Sequence, residues 1–215
     1  MLILDDTKEY EYFCHKYKTS NVIKSRFKNI SENFSRCLPE LKSFNRQVIQ
    51  NDPNDYNIVV SGDYDKKKSL SGIIDFGDMC ISPRICEIAI AGAYIVLETP
   101  HPEKSLVALV SGFNLTCPLT TPEIDLIWNL LLMRLAVSVV NSTMLAIEFP
   151  NDPYVTVSQK PAWDPCAPSA AFCTSRASSR RRICSSAMLW TEGSASSPRR
   201  PPRMACLLYT SDAAD

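Results

Sequence analysis

Three polar residues, Asp52, Asn57 and Asp75, lie beside short apolar runs and are of the types that phosphoryl transfer requires. Asp52 and Asn57 form the pattern D-x-x-x-x-N, and Asp75 opens an Asp-Phe-Gly triplet eighteen residues after Asn57. In kinases one carboxylate orients the attacking hydroxyl and takes its proton, while an Asn amide oxygen and a second carboxylate hold Mg2+ against the phosphates. The spacing therefore predicts Asp52 as the catalytic base and Asn57 and Asp75 as magnesium ligands.

Each of these residues also has a simpler explanation. Asp and Asn at the end of a strand are common turn or cap residues, and a single D-x-x-x-x-N pattern often arises by chance. Here both motifs occur in order, each beside a β-type run and ahead of a helical block. That combination favours a kinase-type site over a coincidence of loop residues.

The elements that must position these residues are helices around a small β-hairpin. Apolar residues at steps of three and four predict a helix over residues 21–41, with Pro39 marking its end. Short β-type runs cover residues 47–49, 57–60 and 72–74, and the last two are predicted to form a hairpin across a polar loop. Residues 8–17 form a weaker helical stretch.

The second half of the domain is predicted to be helical. Helices are expected over residues 84–97 and 105–113, and a third begins at Thr121-Pro122-Glu123 and runs to about Phe149. This third helix is apolar almost all round, which places it at the centre of a helical core. Its longest apolar stretch is 15 residues and contains Asn129 and Arg134. A spanning helix needs about 20 apolar residues, so a buried helix is predicted instead of a membrane anchor.

Charge and cysteine content exclude several other classes of protein. The 23 basic and 23 acidic residues cancel, which gives no electrostatic case for binding nucleic acid or an anionic membrane. The nine cysteines are odd in number and include no C-x-x-C pair, which argues against a disulfide framework and a zinc site. Charged residues soon after Met1 do not resemble a secretory signal. We therefore expect a soluble cytoplasmic protein.

The composition changes after residue 163. All eleven lysines lie at or before Lys160, whereas the seven basic residues beyond it are all arginine. Residues 164–205 are rich in Ser, Ala, Arg and Pro without apolar periodicity, and the last ten, CLLYTSDAAD, look like the translation of a sequencing adapter. We predict one domain over residues 1–163 and a tail over residues 164–215. The tail is expected to be non-native, from out-of-frame translation, with a disordered basic segment as the alternative.

Three segments resemble the aminoglycoside phosphotransferase superfamily, and within it the hydroxylysine kinases and the kinase domains fused to class III aminotransferases. They read VIQNDPNDYNIVV, SGIIDFGDMCISPRICEIAIAGAYIV and PLTTPEIDLIWNLLLMRLAVSVVNS. The resemblance implies an α+β, protein-kinase-like fold, of which this chain is the C-terminal lobe. It also implies Mg2+-dependent transfer of the γ-phosphate of ATP or GTP to a hydroxyl of a small amino compound, such as hydroxylysine or an aminoglycoside. Asp52 matches the catalytic aspartate of the family, and Asn57 and Asp75 match its magnesium ligands.

The chain departs from the family pattern in three ways. Gln50-Asn51-Asp52 stands where the family has His-Gly-Asp or His-Asn-Asp, and Tyr56 stands where the related branch tends to have His. No Gly-rich phosphate loop and no V-A-I-K-like lysine strand precede Asp52, so the nucleotide-binding N-terminal lobe is expected to be absent and the 215-residue chain inactive. The alternative function is a non-catalytic, pseudokinase-like module that binds a partner.

Two further charged residues lie in predicted helices. Glu87 matches an acidic position of the family and is expected to act as a structural brace. Arg134 lies in the middle of an apolar helix. It therefore needs a buried acidic or carbonyl partner, or else it faces a carboxylate of the substrate.

Overall fold

The computed structural model describes residues 21–62, 69–97 and 99–149. These ranges contain the elements α1 (Asn21–Ser43), β1 (Arg46–Ile49), β2 (Ile58–Ser61), β3 (Ser69–Ile73), β4 (Cys80–Pro83), α2 (Ile85–Ile95), α3 (Pro102–Thr116) and α4 (Thr121–Glu148). A short 3-10 helix, Asp55–Asn57, precedes β2. The predicted α+β class is confirmed, and this mainly helical arrangement is consistent with a kinase-like lobe. The predicted helix over residues 8–17, the boundary at residue 163 and the tail lie outside the described residues.

Two antiparallel strand pairs stand beside the helices. β2 pairs with β3, with Ile58 opposite Ile73, which confirms the predicted hairpin. β1 pairs with β4, with Ile49 opposite Cys80. The strand β4 was not predicted, because it has only four residues, ends at Pro83 and depends on a partner more than thirty positions away in the sequence.

The helix α4 forms the centre of the core, as its all-round apolar character predicts. It packs against α1 and α2, and α3 packs against α2. Ile127, Leu130 and Leu131 of α4 are completely buried. A Cβ atom at Gly92 of α2 would lie 2.9 Å from Leu106 Cδ1, so glycine permits this close approach of the helices.

The composition of α4 alone does not distinguish a core helix from a membrane span. Its 28 residues are long and apolar enough to cross a bilayer. Fourteen of them are buried within the fold, however, and the core helix of a soluble protein passes the same test. The burial is what the sequence predicts for this helix.

The ends of two helices differ from the prediction. Pro39 lies inside α1, which continues to Ser43. A proline here removes one backbone hydrogen bond, but the buried Leu41 holds the last turn against the core. The cap of α4 is Thr120, one residue before the predicted start of the helix at Thr121. Thr120 and Glu123 form a reciprocal capping box.

An ion pair joins the start of α4 to the residue before α2. Arg84 Nε lies 2.8 Å from Glu123 Oε1, and Arg84 Nη2 lies 2.9 Å from Glu123 Oε2. The hydrogen bonds from Arg84, with further ones from Thr120, lower the pKa of Glu123 to about 2. Because the folded pKa is below the unfolded value, this stabilisation is present above about pH 4.5 and is lost as the pH falls toward 2.

We predict that Glu123→Gln lowers the free energy of unfolding by about 2 kcal/mol at pH 7 and by about half of that or less at pH 3. Urea denaturation at both pH values measures this difference. Glu32→Gln is the matched control, because the pair that Glu32 forms with Lys28 at 4.0 Å is exposed. Its effect should stay within about 0.5 kcal/mol. An equal loss of stability for Glu123→Gln at both pH values would contradict the assignment.

Candidate active site

The loop between β1 and β2 carries Asp52 and Asn57. It starts with Asn51 at φ 70°, a left-handed conformation that Gly and Asn adopt more readily than other residues. The Asn54 side chain then caps the 3-10 helix, since its Oδ1 accepts a hydrogen bond from the Asn57 N–H at 3.0 Å. These local features explain why the loop contains asparagines at positions 51 and 54.

Asp52 and Asn57 are in direct contact. The Nδ2 atom of Asn57 donates to the backbone oxygen of Asp52 at 2.9 Å and to Oδ2 of its carboxylate at 3.3 Å. Asn57 is buried. Because Nδ2 is turned toward Asp52, the amide oxygen of Asn57 is turned away from that carboxylate.

Asp75 and its neighbour Ile74, just after the hairpin, form hydrogen bonds with both ends of the same loop. Its backbone oxygen accepts a hydrogen bond from Gln50 Nε2 at 2.7 Å, and the neighbouring Ile74 N–H donates to the backbone oxygen of Asn57 at 2.9 Å. Asp75 has φ 55°, and its Oδ1 accepts a hydrogen bond from the Gly77 N–H at 3.3 Å. The fold thus brings the ends of the two motifs together.

Gln50 links the two motifs from a buried position. Besides its bond to Asp75, its Nε2 donates to the Ile74 oxygen at 3.3 Å, and its Oε1 accepts from the Asp52 N–H at 2.8 Å. A glutamine offers both a donor and an acceptor to its surroundings. It therefore braces this loop without the histidine that the family pattern has at this position.

Glu87, at the start of α2, supports the loop from the other side. Its Oε2 accepts a hydrogen bond from the Asn51 N–H at 2.8 Å. Burial raises the pKa of Glu87, and the hydrogen bonds from the loop backbone oppose that rise. This contact agrees with the expected role of Glu87 as a brace.

We predict that Gln50→Leu lowers the free energy of unfolding by about 2–3 kcal/mol, because it leaves the Asp52 N–H and the Asp75 oxygen without a partner. Gln50→His should cost less, since a neutral imidazole keeps one donor and one acceptor. Urea denaturation of the 215-residue chain measures both. The control is Gln47→Leu on the exposed side of β1. Equal losses at positions 47 and 50 would contradict the bracing role.

The Asp52 carboxylate accepts hydrogen bonds at both oxygens. Oδ1 accepts from the Tyr94 hydroxyl at 2.8 Å and from Arg134 Nη2 at 3.1 Å. Oδ2 accepts from Asn54 Nδ2 at 2.7 Å and, at the longer 3.3 Å noted above, from Asn57. The acidic partner expected for Arg134 is therefore Asp52 itself.

Tyr94 was not predicted as part of the site. It lies in α2 within an otherwise aliphatic run, and its hydroxyl also accepts a hydrogen bond from Arg134 Nη2 at 2.7 Å. Burial is the main reason why the pKa of Tyr94 is raised. The available signal was a tyrosine on an apolar helix, whose hydroxyl needs a partner when buried. Sequence alone does not say which partner.

The donor atoms at this site fit magnesium better than a transition metal. Among the described residues there is no group of three or more His, Cys, Asp or Glu side chains that could hold a metal ion. The Asn57 amide oxygen and the Asp75 carboxylate provide two oxygen donors, and magnesium at kinase sites takes its remaining ligands from phosphates and water. Tyr56 is 70% exposed and makes none of the hydrogen bonds described above.

The chain is similar in sequence to phosphotransferases. Residues 14–113, just under half of the chain, match the model of the phosphotransferase enzyme family. The hydroxylysine kinase of Danio rerio is 31% identical over 126 residues, which cover 58% of this chain and 36% of that protein. The hydroxylysine kinase of Xenopus laevis is 29% identical over 168 residues, which cover 74% of this chain and 44% of that protein. The hydroxylysine kinase of Mus musculus is 30% identical over 151 residues, which cover 65% of this chain and 40% of that protein.

The comparisons confirm the resemblance to the aminoglycoside phosphotransferase superfamily and to hydroxylysine kinase. The chain spans less than half the length of these three relatives. No solved structure matched it. The matched segment includes Asp52, Asn57 and Asp75, whereas Arg134 lies beyond it.

Proposed function

We propose that this chain is the C-terminal lobe of a small-molecule kinase, which transfers the γ-phosphate of ATP or GTP to a hydroxyl of an amino compound. The observation that carries the proposal is the direct contact between Asp52 and Asn57. The loop that carries both residues is hydrogen-bonded to the backbone of Asp75, and all three residues lie in the segment that matches the phosphotransferase family. Asp52 is the proposed base, and Asn57 and Asp75 are the proposed metal ligands.

The proposed chemistry assigns one task to each residue. The Asp52 carboxylate accepts a hydrogen bond from the acceptor hydroxyl and takes its proton as the oxygen attacks the γ-phosphorus. The bond from the γ-phosphorus to the β–γ bridging oxygen breaks, and the nucleoside diphosphate leaves with that oxygen. The Asn57 amide oxygen and the Asp75 carboxylate would hold Mg2+. When bound, that ion neutralises charge on the phosphates. The Gln50 and Glu87 contacts keep these groups at fixed relative positions, which is the larger part of kinase catalysis.

Hydroxylysine is the proposed acceptor, because the relatives at about 30% identity are hydroxylysine kinases. Aminoglycosides and other amino alcohols remain the alternatives. A pseudokinase-like binding module is the second candidate. It is disfavoured because the chain retains the three candidate residues and Gln50 supplies the bracing hydrogen bonds at the position of the family histidine.

We further propose that this chain is part of a longer cytoplasmic protein, which also contains the nucleotide-binding lobe. A fusion to an aminotransferase is one form that this longer protein could take. The sequence contains no Gly-rich phosphate loop, and its relatives are more than twice as long as the matched part. Apolar side chains are also exposed on both strand pairs, including Val48, Leu70 and Ile81. Residues outside this chain would cover such a surface.

The test is phosphoryl transfer from ATP or GTP to hydroxylysine or kanamycin, with Mg2+ or with EDTA. The 215-residue chain and the whole protein, cloned from the source genome, are assayed side by side. We expect Mg2+-dependent transfer to hydroxylysine by the whole protein and none by the chain. Transfer to neither acceptor would overturn the proposed function. Transfer by the chain that disappears with Asp52→Ala would overturn the proposal that a second lobe is required.

A further inference from the structure

Donors of different kinds surround the two oxygens of the Asp52 carboxylate. Oδ1 faces the Tyr94 hydroxyl and the Arg134 guanidinium, which belong to the helices α2 and α4. Oδ2 faces the neutral amides of Asn54 and Asn57, which belong to the loop itself. The carboxylate therefore has a helix-facing oxygen and a loop-facing oxygen.

The helix-facing donors also contact each other. Arg134 Nη2 donates both to Asp52 Oδ1 and to the Tyr94 hydroxyl oxygen, and its Cζ lies 5.6 Å from the centre of the Tyr94 ring. The side chains of Arg134 and Asp52 are only 15% and 21% exposed, so water screens the pair weakly. A hydrogen-bonded charge in such a setting is held more firmly than one on the surface.

The two sets of donors have different consequences for proton transfer. An oxygen that already accepts a hydrogen bond from a cation and one from a hydroxyl has little capacity left for a third donor. The loop-facing oxygen has neutral donors, and the contact from Asn57 is long at 3.3 Å. An acceptor hydroxyl can replace that weaker contact at a smaller cost.

We propose that Tyr94 and Arg134 are positioning residues that hold Oδ1 of Asp52 and so assign proton acceptance to Oδ2. This inference rests on the proposed function of Asp52 as the base, and it adds the oxygen and the residues that select it. Arg134 lies within the apolar helix α4, where a cation is costly without a function or a partner. Its position is explained by the carboxylate that it holds.

The first test uses the 215-residue chain and needs no catalysis. Tyrosine labelled with 13C at Cζ is titrated by NMR, and the Tyr94 signal is assigned with Tyr94→Phe. Arg134→Met should raise the pKa of Tyr94 further, because the cation now lowers it. Asp52→Asn should lower that pKa, because the carboxylate now raises it. Arg84→Met instead breaks the ion pair with Glu123 and should leave the Tyr94 titration unchanged.

Opposite shifts in the two variants support the three-residue contact. Shifts of the same sign, or a Tyr94 titration that neither variant changes, would overturn it. Arg134→Lys is the second variant, since it retains the charge if Arg134→Met does not fold. It should give a smaller rise in the Tyr94 pKa than Arg134→Met gives, and an equal or larger rise would also overturn the contact.

The second test uses the kinetics of the whole protein. Arg134→Met should lower kcat by about 10–100-fold while KM for the acceptor changes less than threefold, and Arg134→Lys should restore part of kcat. A raised KM with unchanged kcat would show instead that Arg134 binds the acceptor, and would overturn the positioning role. If the whole protein has no phosphotransferase activity, the proposed function fails, while the titration still decides whether the contact exists.

Discussion

Asp52→Asn is expected to reduce kcat for phosphoryl transfer by the whole protein by about a thousandfold, because an amide cannot take the proton of the acceptor hydroxyl. The substitution preserves the shape of the side chain, so the acceptor should still bind with a similar KM. Initial rates measured at saturating nucleotide separate these two quantities. Asp55→Asn, an exposed change in the neighbouring 3-10 helix, is the matched control and should retain nearly full activity.

A loss of stability must be separated from this loss of catalysis. Asp52→Asn also removes the negative partner of Arg134, and breaking a partly buried ion pair can cost about 3 kcal/mol. Thermal unfolding of the variant, with and without nucleotide, shows whether the assayed protein is folded. A folded Asp52→Asn variant with more than a tenth of the original kcat would contradict the assignment of Asp52 as the base.

The sequence was sufficient for the features that depend on local pattern. The all-round apolar run over residues 121–149 specified a central helix, and the apolar runs on either side of a polar loop specified the β2–β3 hairpin. Both are short-range signals of periodicity and turn chemistry. The pairing of β1 with β4 has no such signal, because it joins segments separated by the loop and hairpin that carry Asp52, Asn57 and Asp75.

The candidate site likewise contains some residues that the sequence could identify and others that it could not. Asp52, Asn57 and Asp75 could be proposed from spacing, since their types and order carry the chemistry. Tyr94 could not, because its approach to Asp52 depends on how α2 packs beside the loop. The replacement of histidine by Gln50 placed the loop geometry in question. Three side-chain hydrogen bonds in the structure show how glutamine braces the loop.

Asp75→Asn is expected to weaken magnesium binding and to lower kcat of the whole protein by about 10²–10⁴-fold at millimolar Mg2+. A neutral amide oxygen replaces the only charged side chain of the two proposed ligands, so it attracts the dication less strongly. Asparagine adopts the left-handed conformation of Asp75 at φ 55° and keeps an oxygen for the Gly77 N–H. The backbone of the turn should therefore survive the change.

Two measurements distinguish a metal ligand at position 75 from a turn residue. A ligand makes the lost kcat partly recoverable by excess Mg2+, whereas a turn residue makes it insensitive to the metal concentration. Asp78→Asn is the matched control, since Asp78 is exposed and three residues further along the same segment. Line broadening by Mn2+ in the NMR spectrum of the 215-residue chain reports binding without turnover. If Asp78→Asn abolishes the broadening and Asp75→Asn does not, the Asp-Phe-Gly carboxylate is the wrong ligand and the metal lies further along the turn.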